Sequence, residues 1–118
     1  MSLAAKMFIK PETTVAAINL PSDVNLDDIV VGDGPADDAD VVLWFVENSE
    51  ALAAQIPLMK PRWDAQKIFW VFYPKKPHLG TDLGRDATWK QMGAARMRGT
   101  RQVGIDDLWS CMYFVNKG

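Results

Sequence analysis

The sequence predicts a small three-layer α/β domain on a mostly parallel sheet, with a C-terminal antiparallel hairpin, and three observations lead there. Val41-Val42-Leu43-Trp44-Phe45-Val46 and Ile68-Phe69-Trp70-Val71-Phe72 are continuous apolar runs of the kind seen when both faces of a strand are covered. Each is followed by a segment with helical spacing, and strands alternating with helices imply parallel pairing through right-handed crossovers. Two further strand-like segments, 100–105 and 108–115, are separated only by Asp106-Asp107, short enough for a hairpin.

The elements follow in order. Lys10-Pro11-Glu12 breaks any short leading helix, and residues 13–20, with Val15, Ala16, Ala17, Ile18 and Leu20, read as the first strand. Leu20-Pro21-Ser22-Asp23 ends it. Residues 27–31 are expected as a short second strand, and Gly32-Asp33-Gly34-Pro35 opens turn material leading through Asp40 into the first central strand. Asn48 or Ser49 can cap the next helix, Glu50 suits its first turn, and Leu52, Ile56 and Met59 share one face. Pro57 is expected to kink that helix and Pro61 to stop it. The second central strand, 67–73, closes at Pro74. After a loop rich in Pro, Gly and basic residues, Asp86 can cap a helix that turns Trp89, Met92 and Gly93 to the core, and Gly99 is placed to end it.

At 118 residues, one core is expected, in a single domain assigned to residues 4–118. Hydrophobic residues at 48% and charged residues at 24% are ordinary globular usage, which disfavours disorder and fibrous classes. No apolar run approaches the ~20 residues of a membrane span, and no secretory pattern opens the chain, so a cytoplasmic protein without membrane attachment is expected. Cys111 is the single cysteine and His78 the single histidine, which excludes an internal disulfide framework and the usual zinc sites. Exposed sheet edges and five tryptophans leave room for a homodimer or a protein partner, although Trp44 and Trp70 fall in central strands.

The net charge of -2 conceals an uneven distribution. Residues 1–56 carry ten Asp/Glu against two Lys/Arg, a net of -8, and residues 57–118 carry five against eleven, a net of +6. Either the halves neutralise each other over one surface, or the second half builds a local positive site.

The loop 74–85 is the best candidate for such a site, because ligands of open parallel sheets bind beyond the carboxyl ends of the strands. Lys75, Lys76 and Arg85 would supply charge for a small anionic ligand, Thr81 and Asp82 would shape the loop, and the following helix N-terminus favours anions. The plainer alternative is solvated lysines with Arg85 paired to Asp82 or Asp86. Other chemistries are disfavoured. Asp106 and Asp107 suit a turn, and Ser110 and Cys111 sit in a strand without nucleophile-elbow glycines. The acidic stretch 33–40 lacks EF-hand spacing. Arg96, Arg98 and Arg101 could contact phosphates, but a pI near 5.2 argues against a dedicated nucleic-acid binder.

From Asp40 onward the order of strand, helix, strand, helix and reversed hairpin is similar to the C-terminal half of a Rossmann-like methyltransferase. That resemblance implies S-adenosylmethionine as cofactor, surrounded by residues 19–23 and Asp40. The turn Asn19-Leu20-Pro21-Ser22-Asp23 departs from the family's glycine-rich turn, and Pro21 lacks an N–H. Tyr73-Pro74-Lys75-Lys76, Thr81-Asp82-Leu83, Arg85-Asp86, Trp89, Ile105-Asp106 and Trp109-Ser110 together resemble a bacterial family of small proteins without established activity. It implies a degenerate methyltransferase-like domain and no mechanism. The first expectation is therefore a non-catalytic module that binds a small anion or a protein partner, using no cofactor. A divergent S-adenosylmethionine-dependent methyltransferase is the alternative.

Overall fold

The computed structural model describes residues 2–117. Its elements are α1 (Leu3–Lys6), β1 (Val15–Ile18), β2 (Val41–Phe45), α2 (Ser49–Asp64), β3 (Ile68–Pro74), α3 (Gly84–Ala94), β4 (Gly99–Gly104) and β5 (Trp109–Phe114). The strands form one mixed sheet in the order β1-β2-β3-β5-β4. The β1–β2 and β2–β3 pairs are parallel, and β5 runs against both its neighbours, β3 and β4. The chain is thus a small α/β domain with a mixed sheet and two packing helices.

Alternation along the strands divides the core in two. Val42, Trp44, Phe69, Val71 and Tyr73 face Leu52 and Met59 of α2 and Met92 of α3. Leu43, Phe45, Trp70 and Phe72 face the opposite side, covered by Leu3, Met7 and Ile9 of the N-terminal segment and by Leu26 and Ile29. Both central strands are therefore covered on two faces, as their unbroken apolar runs predict. Each large side chain fully buried there contributes roughly 1.5–3 kcal/mol of transfer free energy. Apart from the single turn of α1, the third layer is not regular structure. The expected strand at 27–31 does not form: Asp27 has a φ of 54°, and the Ile29 N–H donates to Leu26 O within a turn.

Asn48 caps α2, accepting from the Ala51 N–H at 2.8 Å. The helix then runs past both prolines to Asp64, so Pro61 does not stop it. Ala53, Pro57 and Pro61, spaced by four, all lie on its exposed face. The carbonyls left without N–H partners, those of Ala53 and Pro57, therefore face water, which keeps the cost of the missing bonds small. Arg62, on the same helix, is buried at 7% exposure. Its guanidinium donates to the carbonyls of Ala36, Ala39, Asp40 and Ile68 at 2.8–3.2 Å, tying the entry of β2 to the entry of β3. Desolvation lowers its pKa, opposed by Asp37 and Asp40.

Three expectations for α3 are corrected. The helix starts at Gly84 without a side-chain cap, so Asp86 lies in its first turn and does not cap it. Met92 is buried, but Gly93 is exposed and Trp89 is 45% exposed. Arg96, at φ 64°, turns the chain out of the helix. Gly99 instead begins β4, where a Cβ would sit 2.6 Å from Met112 Sδ. Any larger residue there would force the Met112 side chain to shift.

Candidate functional site

Beyond the carboxyl end of β3 the surface opens into a cleft of about 640 Å³. Its floor comes from three strands that only the register brings together. Tyr73 of β3 pairs with Ser110 of β5, and Ser110 pairs with Gly104 of β4, near Gln102. Gln102 Nε2 donates to the Tyr73 hydroxyl at 2.8 Å and to Ser110 Oγ at 3.2 Å, and the Ser110 hydroxyl donates to Val103 O at 3.1 Å. Burial pushes the Tyr73 phenol above its ordinary pKa, so it is a neutral O–H.

The rim is cationic. Lys75 and Lys76 come from the loop after β3, and Arg85 and Lys90 from α3. Lys75 Nζ donates to Asp106 O at 2.7 Å, which fixes the ammonium without neutralising it. The carboxylate of Asp106 accepts from the N–H groups of Leu108 and Trp109, both at 2.8 Å, closing the β4–β5 turn as its residue type predicts. Arg85 Nε sits 3.2 Å from Asp86 Oδ1, an exposed pair with little energetic weight. Asp86 is the single carboxylate among the lining residues. Gly84 takes a left-handed φ of 76°, and its missing side chain leaves the Lys76 stem lying 3.7 Å from the Cβ position.

Lys75, Lys76 and Arg85, named from sequence as charge donors, thus converge on one cleft. Thr81 and Asp82 stand behind the rim. Buried Thr81 accepts from the Leu83 N–H at 3.1 Å. Asp82 reaches α2, accepting from the Ser49 hydroxyl and, at 2.8 Å, from the Ser49 N–H. These bonds hold its carboxyl below the usual range. Both residues order the loop, and Asp82 also joins it to the start of α2. Lys90, Tyr73 and Gln102 are not among the site residues named from sequence, and Ser110, weighed there only as a nucleophile or acid/base group, is set aside. Tyr73 looked like core, and nothing local in β4 or β5 marks Gln102 or Ser110.

Other candidates separate clearly. Cys111 is buried, and burial drives its thiol pKa far upward, which leaves it protonated and unreactive. His78 packs edge-on to Trp109. Asp40 and residues 19–23 do not meet: Asp40 precedes Val41 at the start of β2, whereas Asn19 follows Ile18 at the far end of β1, paired to Trp44. The Asp40 carboxylate accepts from the Thr14 N–H at 3.0 Å, and its own N–H donates to Thr14 Oγ1 at 2.8 Å. Among the described residues, no cluster of three or more His, Cys, Asp or Glu could hold a metal, and no helix is long and apolar enough to cross a membrane. Comparisons of the chain with family models, with curated proteins and with solved structures each returned no match.

Proposed function

We propose that the chain is a non-catalytic binding module whose cleft takes a small phosphate- or carboxylate-bearing ligand. The observation that carries this reading is the convergence of Lys75, Lys76, Arg85 and Lys90 over the buried hydroxyls of Tyr73 and Ser110 and the exposed amide of Gln102, with one carboxylate among them. Such a site offers charge at the rim and directional hydrogen bonds at the base, the combination that recognises oxyanions. The hydrogen bonds of Ser110 run to Gln102 and Val103 rather than to an imidazole or carboxylate, which supports binding over nucleophilic catalysis.

Thermal denaturation against phosphate, pyrophosphate, sugar phosphates and citrate tests the proposal. A ligand at one hundred times its Kd is expected to stabilise the fold by about 2.7 kcal/mol. The effect should shrink in a Lys75→Ala/Arg85→Ala variant and weaken with added salt. No stabilisation by any oxyanion would remove the reading.

One observation favours a second reading, a divergent S-adenosylmethionine-dependent methyltransferase. The reversed strand β5 lies between β3 and β4, which agrees with the reversed hairpin that the family resemblance implies. Against it stand the lack of glycine in the turn 19–23, where Pro21 has no N–H, and the separation of Asp40 from those residues. Stabilisation by S-adenosylmethionine or S-adenosylhomocysteine, unchanged in the Lys75→Ala/Arg85→Ala variant, would decide for it.

A further inference from the structure

The cleft does not end at α3. Arg85, Asp86 and Gln102 line both it and an adjoining hollow of about 370 Å³, whose other walls include Trp89, Thr100 and Met112. Trp89 is the most exposed of the five tryptophans, with 45% of its surface in water on a helix whose other large apolar residue, Met92, is fully buried. An indole left open in a cavity wall is a surface that a flat aromatic ligand would cover. Arg85 and Trp89 are one turn apart on α3, a rise of about 6 Å, which is the reach of a sugar between a phosphate and a base.

Resting on the reading that the cleft binds an anion, we infer that the ligand is a nucleotide unit, its phosphate among Lys75, Lys76 and Arg85 and its base against Trp89. Thr100 and Gln102 offer a hydroxyl and an amide to the edge of the base. A second hollow, which shares Trp89 and Gly99 with the first, is lined by Arg96 and Arg98, which would meet a second phosphate. Arg101 also lines the hollow beside Trp89, but its guanidinium lies 4.6 Å over the Phe8 ring. The acidic overall pI does not oppose this, because the sheet order sets β1, within the acidic half of the sequence, at one edge and β4 at the other. An acidic peptide is the weaker fit: the irregularity at Gly99/Arg101 breaks the ladder that a strand added along β4 would have to continue.

The test compares three probes by fluorescence titration and competition on the intact chain: ribose 5-phosphate, adenosine 5'-phosphate, and a labelled oligothymidylate of about ten nucleotides. Adenosine 5'-phosphate is expected to bind about tenfold more tightly than ribose 5-phosphate, through stacking. Trp89→Ala should abolish that advantage and Trp89→Phe should keep part of it, with unchanged melting temperatures showing that both variants fold. If the two small probes bind equally, the nucleotide inference fails while the anion cleft stands. If the advantage survives in Trp89→Ala, the inference fails too, and if neither probe nor pyrophosphate binds, both readings fail. An oligonucleotide that outcompetes adenosine 5'-phosphate, and loses its advantage in Arg96→Ala/Arg98→Ala, identifies a single strand as the source. Equal affinity identifies the free nucleotide. Polyglutamate displacing the oligonucleotide at equal concentration would overturn the proposal in favour of an acidic protein.

Discussion

The two ends of the sheet treat charge in opposite ways. Near β1 three charged groups are committed to backbone: Asp28 accepts from the Ala4 N–H, Asp40 from the Thr14 N–H, and Arg62 binds four main-chain carbonyls from a buried position. Along α3 and β4 the cations stand on the rim of open hollows, and the ion pair there is the exposed Arg85–Asp86. Charge at the first end is a fastening for irregular chain. At the second it is held available. A near-neutral net charge therefore says little about what a surface can attract, because the same residue types are consumed in one place and presented in another.

The largest effect that could break this contrast is at Arg62. Arg62→Ala strips four buried or half-buried carbonyls of their donor and should cost about 3–5 kcal/mol in urea denaturation. Arg62→Lys should recover little, since one ammonium cannot span the same carbonyls. A loss below about 1 kcal/mol would mean that the irregular chain is held by packing alone.

A smaller effect is expected at Asp40. The Thr14 N–H, then its hydroxyl, hold the Asp40 carboxyl below its ordinary pKa of 3.8. The unfolded chain therefore binds more protons in this range. The stabilisation is complete above the ordinary value and is lost as pH falls through the depressed one. Urea midpoints measured from neutral pH down to the unfolding limit should show this acid-limb loss in the parent and less of it in Asp40→Asn. An identical pH profile would show that the bond carries no charge-dependent stability.

The smallest change belongs to the other end. Lys90→Ala should alter stability by no more than about 0.5 kcal/mol while weakening oxyanion binding. Equal or greater loss of stability than Asp40→Asn would place structural charge at both ends and erase the distinction.

How much of this was legible in the sequence depends on the range over which each decision is made. β2 and β3 were readable because five or more consecutive apolar residues leave few options but a strand covered on both sides. Asn48 was readable because its side chain reaches only three residues ahead. The cluster of cations after β3 was readable because the lysines and Arg85 are close in sequence. The prolines of α2 misled because their cost depends on which face meets water, and Trp89 misled because an apolar residue at a helical position is ordinarily core. The floor of the cleft was illegible for a different reason: Gln102 and Tyr73 are 29 residues apart, and only the insertion of β5 beside β3 brings them together.

The uneven cover of the sheet has a consequence for how the molecule opens. One face lies under α2 and α3, whose backbone bonds form cooperative ladders, and the other lies partly under chain fixed by scattered contacts, such as Val24 N–H to Pro21 O and Gly32 N–H to Val15 O. Segments of that kind separate locally at low free energy, so amide hydrogens in residues 21–32 should exchange with solvent long before those of β2 and β3. Each such excursion withdraws Leu26 and Ile29 from the apolar cluster on that face while the sheet itself stays intact. The residues that complete the hydrophobic interior are thus also its most frequently opened door.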